Sequence, residues 1–170
     1  MSRSDAESVL EPLIPALRRH ARALVGDADA ADDLVQDCLE RALSRWWLRR
    51  TSEDTKPWLF AILRNLHVDD LRRRRRRGPA IELDESNAPS APGDQEHGLG
   101  LRDALAALDL LPEDQKSLLL LVGVEDLSYE EAARVLGVPV GTVTSRLARG
   151  RRRLRDLLER GRPVALRSVK

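Results

Sequence analysis

The fold of this chain is decided by residues 56–77, KPWLFAILRNLHVDDLRRRRRR. Pro57 suits the first turn of a helix, because its missing N–H would have no partner there, and Gly78-Pro79 ends the helix. Apolar residues recur along the segment at three- and four-residue steps, which predicts one buried helical face. Polar side chains and six consecutive arginines are left for the other face. That pattern indicates a helix facing nucleic acid, although a solvated, frayed helix end also fits it.

Charge along the chain is distributed in blocks, although the net charge is only +1. Residues 61–78 contain seven arginines and two aspartates, and residues 142–162 contain eight arginines and two acids. Between them, residues 79–141 contain 13 acids and three bases. Alternating basic and acidic blocks predict two separate anion-binding surfaces on one chain.

The length of 170 residues accommodates two small domains, and no segment shows the alternation of a strand. We therefore expect an all-α fold with a helical domain at residues 1–77 and a second helical domain at 99–162. Residues 78–98, rich in proline, glycine and acids, are predicted to be a flexible acidic linker, and 163–170 a tail.

A cytoplasmic, reducing location is expected from three features of the sequence. Cys38 is the single cysteine, so no internal disulfide can form, and its place in an apolar stripe predicts a small core residue. No apolar run approaches the length of a membrane span, and residues 1–30 lack the layout of a secretory signal.

The first domain is predicted to begin with an amphipathic helix from Ser8 to Leu24, broken at Gly26. A second helix, about Ala30 to Arg45, has an apolar stripe and an acidic outer face. The acidic side chains either complement the helix dipole or form a face for docking another protein. The dipole accounts for Asp32 and Asp33, but three polar residues extend the face past the first turn: Gln36, Asp37 and Glu40.

Four of the five aromatic residues lie within residues 46–60. Trp58 and Phe60 are predicted core anchors. Trp46 and Trp47 are adjacent on a helix and cannot both face inward. Packing is nevertheless the expected role of at least one of them. An exposed ring beside arginines could instead stack on an unpaired base, which is worth roughly 1–3 kcal/mol.

A helix-turn-helix is predicted near the carboxyl end. Ser128 and Glu131 have the spacing of a capping box, and Gly137 suits the left-handed end of the short helix that follows. The next helix, Thr142 to Glu159, is basic along its outer side. A capped helix, a turn and a basic second helix are typical of a motif that enters the major groove, although an ordinary helical hairpin has a similar outline.

These motifs resemble the signatures of the bacterial sigma-70 family of RNA polymerase sigma factors. Residues 32–37, DDLVQD, are similar to regions 2.1–2.2, and residues 57–65, PWLFAILRN, with Asp69 and the arginines, to regions 2.3–2.4. Residues 127–133, LSYEEAA, and 141–147, GTVTSRL, are similar to region 4.2. The absence of regions 1.1 and 3 is similar to the extracytoplasmic-function (ECF) subfamily. Asp126 stands where many members have glycine.

The resemblance implies a region 2 helical bundle and a region 4 helix-turn-helix joined by a flexible linker. It implies promoter-specific initiation, with binding to core RNA polymerase through the β′ clamp helices and the β subunit. The implied polymerase-binding residues are Asp32, Asp33, Leu34, Gln36 and Asp37. The implied −10 DNA-binding residues are Trp46, Trp47, Lys56, Arg64, Asn65, Asp69, Arg72 and Arg73. The implied −35 DNA-binding residues are Thr142, Ser145, Arg146, Arg149 and Arg152.

The expected partners are therefore core RNA polymerase, promoter DNA and an anti-sigma factor, with no cofactor, metal, small-molecule substrate or membrane insertion. Two other hypotheses stay open: a sigma-like decoy that sequesters an anti-sigma factor, and a free-standing helix-turn-helix repressor. The repressor leaves the acidic face and the tryptophans without a role. An enzyme is not expected, because the three histidines are scattered and form no catalytic constellation.

Overall fold

A computed structural model of the chain describes residues 3–48, 54–77 and 95–161, and the secondary structure throughout these segments is helical. The helices are α1 (Arg3–Leu10), α2 (Ile14–Val25), α3 (Ala28–Ser44), α4 (Thr55–Arg77), α5 (Gln95–Asp109), α6 (Glu113–Gly123), α7 (Tyr129–Leu136) and α8 (Val140–Gly161). Short 3₁₀ turns lie at Glu11–Leu13 and Trp46–Leu48. The prediction of an all-α fold built from two small helical domains is confirmed. We call α1–α4 the N-terminal unit and α5–α8 the C-terminal unit.

Two of the predicted boundaries differ from the structure. The single helix expected from Ser8 to Leu24 is divided by the 3₁₀ turn, where Pro12 cannot donate the backbone hydrogen bond of a continuous α-helix. Helix α5 begins at Gln95, inside the predicted linker. The rest of that linker, residues 78–94, and the predicted tail, 163–170, lie outside the described residues.

Helix ends follow the capping chemistry of the sequence. The Asp27 carboxylate accepts a hydrogen bond from the Ala30 N–H at 2.8 Å and starts α3, after Gly26 has ended α2 in the left-handed region. Both hydrogen bonds of the Ser128–Glu131 capping box are present at the start of α7. Gly137, at φ +65°, ends that helix as predicted.

The core of the N-terminal unit is formed where α3 packs between α2 and α4. Leu17, Leu59 and Leu63 are fully buried there, and the Phe60 ring meets the His20 ring edge-on at 4.9 Å between centroids. Cys38 is buried, and burial raises the pKa of its thiol to about 12. Its predicted role as a small core residue is confirmed.

The C-terminal unit packs α8 across α6 and α7. Its buried side chains include Leu118, Leu121, Val143 and Leu147. Gly150 lies where α8 approaches α6, since a Cβ there would be 3.4 Å from the Gln115 Cβ. The helix-turn-helix is thus anchored on its inner side, and its basic side remains on the outside.

The two units also pack against each other, α4 on α7 and α2 on α6. Their buried residues form one continuous apolar cluster that runs from α1 to α8. Burying apolar surface contributes about 25 cal/mol per Å², so this contact is itself stabilising. None of the described helices is long and apolar enough to span a bilayer.

Candidate nucleic-acid interface

The acidic face predicted on α3 is present on the outside of the N-terminal unit. Asp33, Gln36 and Asp37 are exposed, and Leu34 is half-buried against the core. Asp32 lies 3.6 Å from Arg18 and 3.8 Å from Arg22, two exposed arginines of α2. Such pairs are worth little in water, so the face remains accessible to a basic or polar partner.

A groove of about 340 Å³ lies between this acidic face and the carboxyl-terminal half of α4. Asp33, Leu34 and Asp37 line one side, and Arg73 and Arg74 line the other. The groove therefore joins residues predicted for protein docking to residues predicted for DNA binding. Glu113, from the C-terminal unit, also lines it.

The predicted −10 residues on the polar side of α4 differ in their exposure to solvent. Asn65, Asp69, Arg72 and Arg73 are exposed, and the Arg72 guanidinium lies 3.7 Å from the Asp69 carboxylate. Arg64 is different, because only 19% of its side chain is exposed and it lies 3.7 Å from Asp114 of α6. The basic end of α4 thus faces solvent, whereas Arg64 faces the C-terminal unit.

The two adjacent tryptophans have opposite environments. Trp46 is buried, with its ring edge-on to Trp58 at 6.1 Å between centroids, so it packs in the core in this arrangement and its contact with DNA stays a prediction. Trp47 is 78% exposed, and its indole N–H donates to the Ser44 carbonyl at 3.1 Å. The structure therefore leaves Trp47 as the ring able to stack on a base.

The predicted −35 residues lie along the first turns of α8. Thr142 and Arg146 are partly buried, whereas Ser145, Arg149 and Arg152 are exposed. The Ser145 hydroxyl donates to the Thr142 carbonyl, and the Arg149 Nε–H donates to the Ser145 carbonyl. Arg146 is 27% exposed and lies 3.0 Å from Asp114. The exposed side chains of this helix suit contact with base edges in a DNA major groove and with phosphates, whereas Arg146 is held by Asp114.

Lys56 was predicted to contact DNA, but its ammonium donates to the Glu125 backbone carbonyl in the C-terminal unit. The carboxylate of Glu125 is fully buried and accepts two hydrogen bonds from Arg19, at 2.7 and 3.1 Å. The bond to Glu125 raises the pKa of Arg19. Sequence analysis missed this cluster, because Arg19 and Glu125 are 106 residues apart and helical periodicity relates only near neighbours.

A second polar cluster joins the units beside it. His67 is buried and its Nε2 lies 2.9 Å from the Glu113 carboxylate. Burial would raise the pKa of Glu113, but the hydrogen bond and charge of His67, with help from Lys116 and Arg64, hold it below its ordinary value. Lys116 is buried and donates to the Leu24 carbonyl at 2.8 Å. The sequence did contain one indication of this contact. A lysine two residues before an apolar run, as Lys116 is, needs a polar partner if the run is buried.

Across residues 3–48, 54–77 and 95–161, no three His, Cys, Asp or Glu side chains are arranged to hold a metal ion. The arrangement instead offers one acidic face and two basic helices, which suit binding to a protein and to nucleic acid.

Known families match both units. Residues 10–64 match the model for the Sigma2 domain of PhyR, and residues 101–154 match the model for Sigma-70, region 4. The chain is 45% identical over 148 residues to the ECF RNA polymerase sigma factor EcfG of Rhodopseudomonas palustris (strain TIE-1), an alignment covering 85% of this chain and 80% of that protein. It is 38% identical over 150 residues to the ECF RNA polymerase sigma factor SigE of Mycolicibacterium smegmatis, covering 82% of this chain and 56% of SigE.

A solved structure is similar over almost the whole chain. It is that of the sigma factor RpoE in complex with the anti-sigma factor NepR from Bartonella quintana. The TM-score is 0.79 at 36% identity, and the match covers 93% of this chain and 99% of that one.

Proposed function

Because this chain belongs to the ECF RNA polymerase sigma factors, we propose that it binds core RNA polymerase and directs it to promoters with particular −10 and −35 elements. The observation that carries the proposal is the presence, on one chain, of an acidic docking face and two basic helices belonging to separate units. A repressor would need only one of the three surfaces.

The −10 element is assigned to α4 and the segment before it. Asn65, Asp69, Arg72 and Arg73 form an exposed polar surface that suits the non-template strand. Trp47 adds an aromatic platform, because every base has a π-face on which a ring can stack. Arg64 would join this surface once it is released from Asp114. Single-strand capture of this kind is how we propose the promoter is opened.

The −35 element is assigned to α8 as the recognition helix of the helix-turn-helix. Thr142, Ser145 and Arg146 lie near its start, where side chains reach base edges in the major groove. Arg149 and Arg152 follow on the exposed side and would contact phosphates.

Polymerase binding is assigned to the acidic face of α3. Asp33 and Asp37 with Leu34 combine exposed charge with an apolar contact at the edge of the groove. We propose that this face docks on the clamp helices of the polymerase β′ subunit and that the C-terminal unit contacts the β subunit. A cytoplasmic location follows from that role.

The proposed function is tested by run-off transcription on fragmented genomic DNA with core polymerase, with and without this protein. We expect new 5′ ends preceded by two shared sequence blocks at a fixed spacing. A second sigma factor added to the same core serves as the control for an active enzyme. No new 5′ ends from folded protein, with that control active, would contradict the proposal.

An anti-sigma factor is also proposed as a partner. The support is the similarity to RpoE, whose solved structure contains the anti-sigma factor NepR. The similarity to RpoE extends over 93% of this chain and therefore includes both units.

One observation favours the decoy hypothesis, namely the match of residues 10–64 to the Sigma2 domain of PhyR. PhyR itself is described as an anti-anti-sigma factor in complex with NepR. A decoy needs no DNA-binding residues, yet the arginines and polar residues of α4 and α8 are present here. The run-off experiment separates the two, because a decoy yields no new transcripts.

A further inference from the structure

We propose that Asp114 holds the chain in an autoinhibited form by pairing at once with Arg64 of α4 and Arg146 of α8. This inference rests on the proposed function, since it assumes that both arginines contact promoter DNA. We call the three-residue contact the Asp114 bridge.

In the Asp114 bridge, the two oxygens of one carboxylate contact arginines of different units. The Oδ1 atom lies 3.7 Å from the Arg64 guanidinium, and the Oδ2 atom lies 3.0 Å from the Arg146 guanidinium. Asp114 is in the first turn of α6 and is half exposed. One side chain therefore neutralises two arginines that are 82 residues apart in the sequence.

The bridged arginines are partly withdrawn from solvent, unlike the other arginines on the same helices. Arg64 and Arg146 have 19% and 27% of their side chains exposed, against 70% for Arg72. An arginine reads a base through a free fork of N–H donors. In this packed arrangement of the two units, which we call the closed form, the N–H donors of the two arginines proposed to reach bases are thus partly covered.

The span of a promoter is incompatible with the bridge. Positions −10 and −35 are about 25 base pairs apart, which is about 85 Å along the duplex at about 3.4 Å per base pair. Two arginines that share one carboxylate lie within a few ångströms of each other. Simultaneous reading of both elements therefore requires the two units to separate and the Asp114 bridge to break.

Other contacts across the same interface would have to break with it. They are Arg19 to Glu125, Lys56 to the Glu125 carbonyl, His67 to Glu113 and Lys116 to the Leu24 carbonyl. Most of these contacts involve a buried group, so they stabilise one particular packing of the two units. Asp114 differs from them because it is half exposed and contacts the two DNA-reading side chains directly, so DNA phosphates compete with it for the same guanidinium groups.

The test is the variant Asp114→Asn in the full chain, with Asp103→Asn as its matched control. Asp103 is an exposed acid of α5, so both variants remove one negative charge from the C-terminal unit. Small-angle scattering is expected to give the wild type and Asp103→Asn a radius of gyration close to that of a compact 170-residue protein, about 15 Å, and a larger value for Asp114→Asn.

Binding of the free proteins to promoter DNA by fluorescence anisotropy supplies the second readout. Asp114→Asn is expected to bind roughly three- to tenfold more tightly than Asp103→Asn, because a larger fraction of the chain is open and competent. A second variant, Glu113→Ala, removes the neighbouring contact to His67 and is expected to shift both measurements in the same direction. Circular dichroism confirms that each variant is folded.

Equal scattering and equal DNA affinity for Asp114→Asn and Asp103→Asn would overturn the autoinhibition. Failure of the proposed function has a different signature. In that case neither the wild type nor any variant would support transcription by core polymerase, while the scattering comparison would still decide whether Asp114 holds the units closed.

Discussion

In the proposed function, single side chains of α8 divide between base recognition and phosphate contact. Arg146 lies near the start of the helix, and Arg149, Arg151 and Arg152 follow it on the exposed side. A guanidinium that pairs with a guanine edge discriminates between bases, whereas one on a phosphate does not. The two roles therefore have different experimental signatures.

We predict that Arg146→Ala reduces discrimination among −35 sequences by about 1–3 kcal/mol, the value of one bidentate base contact. The measurement is binding of the polymerase–sigma complex to a panel of single-base variants of the −35 element. Arg151→Ala is the control, and it should weaken binding uniformly across the panel. An unchanged order of preference in Arg146→Ala would remove this residue from the base contacts.

At the scale of helices, a capping box fixes where α7, the first helix of the helix-turn-helix, begins. Two reciprocal hydrogen bonds, of 3.1 and 2.7 Å, join Ser128 and Glu131 at this end. The hydrogen bond from the Ser128 backbone N–H lowers the pKa of Glu131. The turn before it contains Asp126 in the left-handed region, at φ +55°, where the resemblance had indicated that glycine is common.

Replacing the cap is expected to destabilise the protein. Ser128→Ala leaves a helix-start N–H without its acceptor, and we expect a loss of about 1 kcal/mol in the free energy of unfolding. Urea denaturation is the measurement. Ser8→Ala, an exposed serine within α1, is the control and should change stability little. An unchanged free energy of unfolding in Ser128→Ala would mean that the capping hydrogen bond contributes nothing.

Most of this element-level structure could be predicted from sequence, because caps, glycines and apolar spacing act within a few residues. Ser128 and Gly137 are examples in which local chemistry determines the end of a helix. The contacts between units could not be predicted in this way. Glu113 and Asp114 look like ordinary first-turn acids, and their partners His67, Arg64 and Arg146 lie 32 to 50 residues away. The same limit hid the covered state of Arg64, although the residue itself had been identified.

For the molecule as a whole, His20 makes stability dependent on pH. Its ring is buried, and neither nitrogen has a partner among the residues that the structure describes. Burial, reinforced by the charges of His67 and Arg19, lowers the pKa of His20 to about 3. The unfolded chain therefore binds a proton at this histidine near pH 6.5, whereas the folded chain does not. The free energy of unfolding consequently falls as the pH drops below that value.

We predict a loss of about 1 kcal/mol in the free energy of unfolding between pH 7.5 and pH 5.5 from this residue alone. His20→Leu removes the titrating group and is expected to show a smaller loss over the same interval, measured by urea denaturation at both pH values. Glu113 does not interfere, because its lowered pKa places its titration below this window. Identical pH slopes in the two proteins would show that His20 stays uncharged in the unfolded chain or charges freely in the folded one.

The sharing of one carboxylate by Arg64 and Arg146 has an evolutionary consequence. A substitution of either arginine that changes the preferred promoter sequence also changes the stability of the closed form. Promoter preference and basal activity therefore cannot evolve independently. A lineage that changes its −35 preference at Arg146 would need a compensating change at Asp114 to keep its basal level. The two positions are therefore expected to vary together among related chains, with residue 64 as the third member of the set.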